Sequence, residues 1–203
     1  MTEAEWLACS DPTPMPEYLA DKVSARKMRL FACACCRHSW NWSGANNRVA
    51  IEVAERFADG EATTEELLAA YEIPGLSQFP TNPDAVVGGI GAAAFIPNSL
   101  TNYVSIEQVE AVFCAECHAQ IQFIYDIFGN PFRPVTLHPA WLTPKVKTLA
   151  QAIYDNRAFE RMPELADALV EAGCSNEDIL SHCRGPGPHV RGCWVVDLVL
   201  GKE

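Results

Sequence analysis

The sequence predicts an all-α protein: a compact multi-helix bundle of αα-hairpins with a Pro-rich connector at about 129–144. Three observations predict it. Apolar residues recur at steps of three and four along most of the chain, the period of a helix with one buried face. Helix starts are written as capping boxes, Thr2 with Glu5, Thr63 with Glu66 and Ser105 with Gln108, in which each side chain satisfies a backbone N–H of the first turn. Glycines and prolines then stop the segments, and no strand-like run has a partner. The 203 residues are 49% hydrophobic, enough to bury a core of domain size. We expect one helical domain over residues 1–203, with an N-terminal half, 1–128, packed against a C-terminal helical subdomain, 141–203.

The elements follow in order. Thr2 opens a short helix through Trp6 and Leu7, and Asp11-Pro12 breaks it. Thr13-Pro14 starts a second, with proline in its first turn. Ser24 caps SARKMRLFACACCRHSW, where Met28, Phe31, Ala32 and Cys35 mark a buried face. Arg26, Lys27, Arg29 and Arg37 make this the most basic element, a solvated face with intramolecular pairs. Asn46 or Asn47 caps the next helix, with Val49, Val53 and Phe57 on its stripe and Gly60 at its end. Thr63 opens TEELLAAYEI, which Pro74 and Gly75 close. Residues 74–104 give the weakest pattern.

The longest helix runs from Ser105 towards Phe128. Ile106, Val109, Phe113, Cys117, Ile121, Ile124 and Phe128 form its stripe, and Gly129, Pro131 and Pro134 stop it. Thr143-Pro144 opens a helix with Val146, Leu149, Ile153 and Tyr154 inward. Pro163 starts PELADALVEAG, closed by Gly173; Ser175 with Asp178 caps NEDILSHCR; GPGP at 185–188 punctuates. The run at 189–200 reads as helix or buried strand, and helix is preferred because no strand partner exists.

Charge limits function. The formal net charge is −11, and from Phe57 through Phe132 ten acids occur with no Lys or Arg. A duplex-binding surface needs clustered cations to displace phosphate counterions, so nucleic acid is excluded as a partner. A basic protein fits the acidic middle, and so does a plain solvated face. No apolar run approaches the roughly 20 residues of a membrane span. The start, MTEAEWLACS, does not read as a secretory leader, and the cysteines number nine, an odd count largely inside helices. A reducing, cytoplasmic compartment with free or metal-bound thiols follows.

Two constellations carry chemistry. Cys33 with Cys36, and Cys114 with Cys117, are helix-borne Cys-x-x-Cys pairs, each on one helix face. Two such helices packed antiparallel would offer four thiolates to a tetrahedral zinc, with His118 as a substitute ligand. Cys114, Cys117 and His118 share roughly a 100° arc of their helix. The competing reading is packing, since cysteine is a small apolar residue. The second constellation is His182, Cys183, His189 and Cys193 around the GPGP turn, where the adjacent pair is awkward for a tetrahedron. Asp197, within WVVDLVLG, is an acid in an apolar run, either exposed or buried and paired with Arg191 or Arg184. No G-x-S-x-G, Walker loop, H-E-x-x-H or Rossmann pattern occurs.

The opening MTEAEWLACSDPTPM with RKMRLFACACCR, and the closing FGNPFRPVTLHPAWLTP with LADALVEAGCSNEDILSHCRGPGPHVRGCWVVDLVLGKE, resemble a large family of uncharacterised bacterial proteins with the same signature ends. The resemblance covers roughly residues 1–60 and 127–203. It implies a shared helical scaffold built by the ends, an adaptable middle, and no particular activity.

Three expectations result. The first is a non-enzymatic helical protein-interaction or regulatory module. The second is a zinc-stabilised structural domain. The third is an enzyme with a site near Asp197, His182 and His189, showing a polar pocket there.

Overall fold

The computed structural model describes residues 1–38, 45–71 and 106–202. Among them every regular element is a helix, as the sequence predicts. The expectations for residues 74–104 and for the Ser105 cap lie outside the described residues. No described helix is long and apolar enough to cross a membrane. The chain divides into two compact units, Met1–Ile124 and Tyr125–Glu203.

In the N-terminal unit, α1 (Glu3–Leu7) begins with the expected capping box: Glu5 N–H donates to Thr2 Oγ1 at 3.3 Å and Thr2 N–H donates to Glu5 Oε2 at 2.7 Å. It buries Trp6, and α2 (Pro14–Leu19) buries Met15 and Leu19. In α3 (Ala25–His38) Ser24 Oγ accepts the Lys27 N–H at 3.3 Å. Met28, Phe31 and Cys35 are buried as expected, Ala32 only half so, and Leu30, Cys33 and Ala34 are buried too, because α3 is covered on more than one side.

The stripe of α4 (Ala45–Ala58) differs from the expected one. Ala50, Ile51 and Ala54 are buried, whereas Val49 is 49% exposed and Val53 and Phe57 are only partly covered. The packing explains it: Ile51 and Ala54 face Cys33 of α3 and Leu67 of α5 (Thr64–Tyr71), so contacts with two neighbours choose the face over the bulk of the valines. The helix also starts before Asn46 and Asn47, so neither is its cap. The cations of α3 do find acids: Arg37 grips Glu55 through Nε at 2.7 Å and Nη2 at 2.8 Å, and Arg26 reaches Asp59 at 3.0 Å. Arg29 is buried with its guanidinium over the Phe57 ring at 4.7 Å.

The long helix α6 (Ile106–Phe128) ends where glycine and proline stop it. Gly129 has φ +64° and donates its N–H to Tyr125 O. A Cβ at Gly129 would lie 3.3 Å from the Trp194 ring, so this position is fixed by both conformation and space. The connector then carries a single 3₁₀ turn at Pro139–Trp141, and its Val135, Leu137 and Trp141 lie against the C-terminal core.

That core is built by four helices. Thr143 caps α7 (Pro144–Asn156) by accepting the Val146 N–H, and Arg157 ends it in the left-handed region, φ 54°. α8 (Met162–Glu171) follows. The cap of α9 (Glu177–Arg184) is Asn176, one residue beyond the expected Ser175: its Oδ1 accepts the Ile179 N–H at 3.1 Å. The last run is a helix, α10 (Trp194–Leu200). Val146, Ile153, Tyr154, Leu165, Leu169 and Val195 are each at most 1% exposed.

Candidate metal centre

The site is built from the end of α6, from α9, and from the turn that joins α9 to α10. All of it lies in the C-terminal unit. Asp126 stands in the last turn of α6 and is 2% exposed. That is a costly place for an acid, because the C-terminal helix dipole is negative and no basic residue occupies the same turn. The charge is met from elsewhere. His189 Nδ1 lies 2.6 Å and His182 Nε2 3.2 Å from Asp126 Oδ1, and the Val190 N–H donates to Oδ2 at 2.8 Å.

His182 sits on the inner side of α9, and its Nε2 is also 3.2 Å from Cys193 Sγ. Cys193 is the N-cap residue of α10 and fully buried. The GPGP turn brings the two histidines together, with ring centroids 4.8 Å apart. Gly187 makes the turn feasible: its φ is +77°, and a Cβ there would stand 2.8 Å from the His189 backbone nitrogen. Trp194 closes one side, its ring 5.1 Å from that of His182. His189 Nε2 is buried with no hydrogen-bond partner.

Burial alone would raise the Asp126 pKa, yet hydrogen bonds and charge from His182 and His189 outweigh it and hold the carboxyl below its ordinary value. The Cys193 thiol goes the other way. Burial first, then the Asp126 charge, pushes it well above the ordinary range.

Four side chains therefore converge, Asp126, His182, His189 and Cys193, with ligand atoms within 4.8 Å of one another, and such a group can hold a metal ion. The edges of a zinc tetrahedron, given Zn–N and Zn–O near 2.0–2.2 Å and Zn–S near 2.3 Å, are about 3.3–3.6 Å. Both His182 Nε2 contacts, at 3.2 Å, are close to that. A Cys-His-Asp nucleophilic triad fits less well. It needs thiol and carboxylate on opposite imidazole nitrogens, whereas here both lie on Nε2 of His182. The raised thiol pKa also argues against a resting nucleophile.

Of the second sequence constellation, His182, His189 and Cys193 come together, and Cys183 turns instead into the apolar core, where burial pushes its thiol up to about 12. The cysteines of the first constellation are not in the converging group. Cys33 packs with Ile51, Ala54 and Leu67, and Cys36 lies against the same cluster, because α3 presents both to α4 and α5. Burial pushes Cys33 well up and Cys36 to about 12. Cys114 is exposed, Cys117 half-buried and His118 exposed. Asp197 is 1% exposed, the buried alternative; Arg184 pairs with Asp167 at 3.2 Å, and Arg191 lies over the Tyr154 ring. Two open grooves on the C-terminal unit are lined by neither Asp197, His182 nor His189.

Sequence reasoning passed over Asp126 as one of ten acids in a solvated face. The signal that marks it is local: it stands between Ile124 and Ile127, both fully buried, at a helix end whose dipole repels it. No protein family, curated protein or solved structure matches this chain.

Proposed function

We propose that this protein is a non-enzymatic helical module whose C-terminal unit binds zinc through Asp126, His182, His189 and Cys193. The convergence of these four ligand atoms carries the reading. Two imidazoles, one carboxylate and one thiolate form a borderline-soft donor set, which suits zinc and disfavours magnesium or calcium, ions that prefer all-oxygen shells. Val190 holds the second carboxylate oxygen, so Asp126 ligates through Oδ1 alone. Coordination deprotonates Cys193 outright, supplying a thiolate that burial otherwise opposes. Four protein ligands complete a tetrahedron and leave no position for substrate, the arrangement of a non-catalytic site. The zinc ties the last turn of α6 to α9 and to the start of α10. With nine free thiols the protein suits a reducing, cytoplasmic setting, and its acidic stretch suits a basic protein partner.

Metal analysis of the purified full chain tests this. One zinc per chain is expected, replaceable by cobalt with a visible tetrahedral spectrum and a thiolate-to-cobalt band that Cys193→Ser removes. Absence of stoichiometric metal after zinc-supplemented purification, or a spectrum indifferent to Cys193→Ser, would overturn it.

A further inference from the structure

We infer that zinc enters a unit that is already folded, so that the site responds to metal supply and is not a condition of folding. The inference rests on the metal reading above. Three observations carry it. First, the apolar core of the C-terminal unit closes without the ligands: Val146, Ile153, Met162, Leu165, Leu169 and Val195 are all fully buried, and of the four ligands only Cys193 belongs to that cluster. Metal-dependent folding is the rule for domains whose core is too small, such as zinc fingers. A unit of about 80 residues with four packed helices sits at the upper edge of that regime, marginal but self-sufficient.

Second, two of the four helix starts are capped by residues outside the site, whereas α8 and α10 have no side-chain cap. Thr143 and Asn176 cap α7 and α9, and Gly201 turns left-handed to end α10. Third, the Asp126 carboxylate already joins the three ligand-bearing segments through His182, His189 and Val190 N–H. The buried charge is thus met by hydrogen bonds within the site, and a metal exchanges one set of satisfied contacts for another.

The distances show which part must give. His182 Nε2 already stands at near-edge distance, 3.2 Å, from both Asp126 Oδ1 and Cys193 Sγ, and α9 and α10 are held by the core. His189 Nδ1 lies 2.6 Å from Asp126 Oδ1, a hydrogen bond shorter than the tetrahedral edge of about 3.3 Å. Loading therefore moves His189 and the turn around it, residues 185–192, and leaves the helices in place.

The experiment is hydrogen exchange with far-UV circular dichroism on the full chain, zinc-free and at a series of free zinc concentrations. The helical signal should persist without zinc. With zinc, exchange should slow by about 100-fold when free zinc reaches about 100 times Kd, at residues 126–130 and 185–194 and at any amide that exchanges only through unfolding of the whole unit, as mass action requires. His189→Ala should remain as helical as the zinc-free protein and show no zinc-dependent slowing. Loss of the helical signal on zinc removal, or exchange throughout 144–200 at unprotected rates without zinc, overturns the inference while leaving the zinc site itself intact. Failure to bind any zinc overturns both readings, and stoichiometric titration separates the two failures.

Discussion

The two places where this chain concentrates cysteine and histidine are built in opposite ways. In the N-terminal unit Cys33 and Cys36 are one helical turn apart on α3, and that spacing commits both to the same packed face, against Ile51, Ala54 and Leu67. In the C-terminal unit the ligands come from a helix end, a helix and a tight turn, and their side chains point at one another. Regular spacing along a helix gives side chains a shared direction, which a hydrophobic neighbour uses as readily as a metal does. A turn gives them a shared point. The lesson for reading thiols is to weigh convergence through irregular backbone above Cys-x-x-Cys spacing within a helix.

Several substitutions break or sharpen this contrast. The largest effect belongs to the turn: Cys193→Ser or His189→Ala should weaken zinc binding by more than about 100-fold, beyond the loss typical of an outer-shell change, measured by competition with a chromophoric chelator. On the other side, Glu55→Ala removes the two hydrogen bonds by which Arg37 grips it and should cost about 2 kcal/mol in denaturant unfolding with zinc content unchanged. Cys33→Ser places a hydroxyl among Ile51, Ala54 and Leu67 and should cost about 1–2 kcal/mol, again with zinc unchanged. A zinc deficit in Cys33→Ser would restore the cross-helix site and reverse the contrast. Asn176→Ala, which removes the cap of the helix that carries His182, should cost about 1 kcal/mol, while Ser175→Ala costs almost nothing. Cys114→Ser, on an exposed surface, should change stability by less than about 0.5 kcal/mol.

Most of the fold was legible because its signals are local. The capping boxes at Thr2 and Thr63 appear as written, and Gly129 stops α6 where the sequence stops it. What failed was what neighbours decide. The valine stripe of α4 lost to Ile51 and Ala54 because α3 and α5 pack on that side, and the cap of α9 moved from Ser175 to Asn176 because either residue type serves and only geometry chooses. The site was half legible. His182, His189 and Cys193 lie within twelve positions and could be grouped by eye, but Asp126 is 56 residues before His182, and only the fold brings it there.

Cys114 is the one exposed cysteine of the nine. A thiol-reactive dye or spin label, used sparingly under native conditions, would therefore settle first on a single spot of α6. That spot lies twelve residues before Asp126 in the sequence. The chain thus carries its own handle: one label can be attached at Cys114 while the buried Cys193 and its neighbours Cys174 and Cys183 stay unmodified.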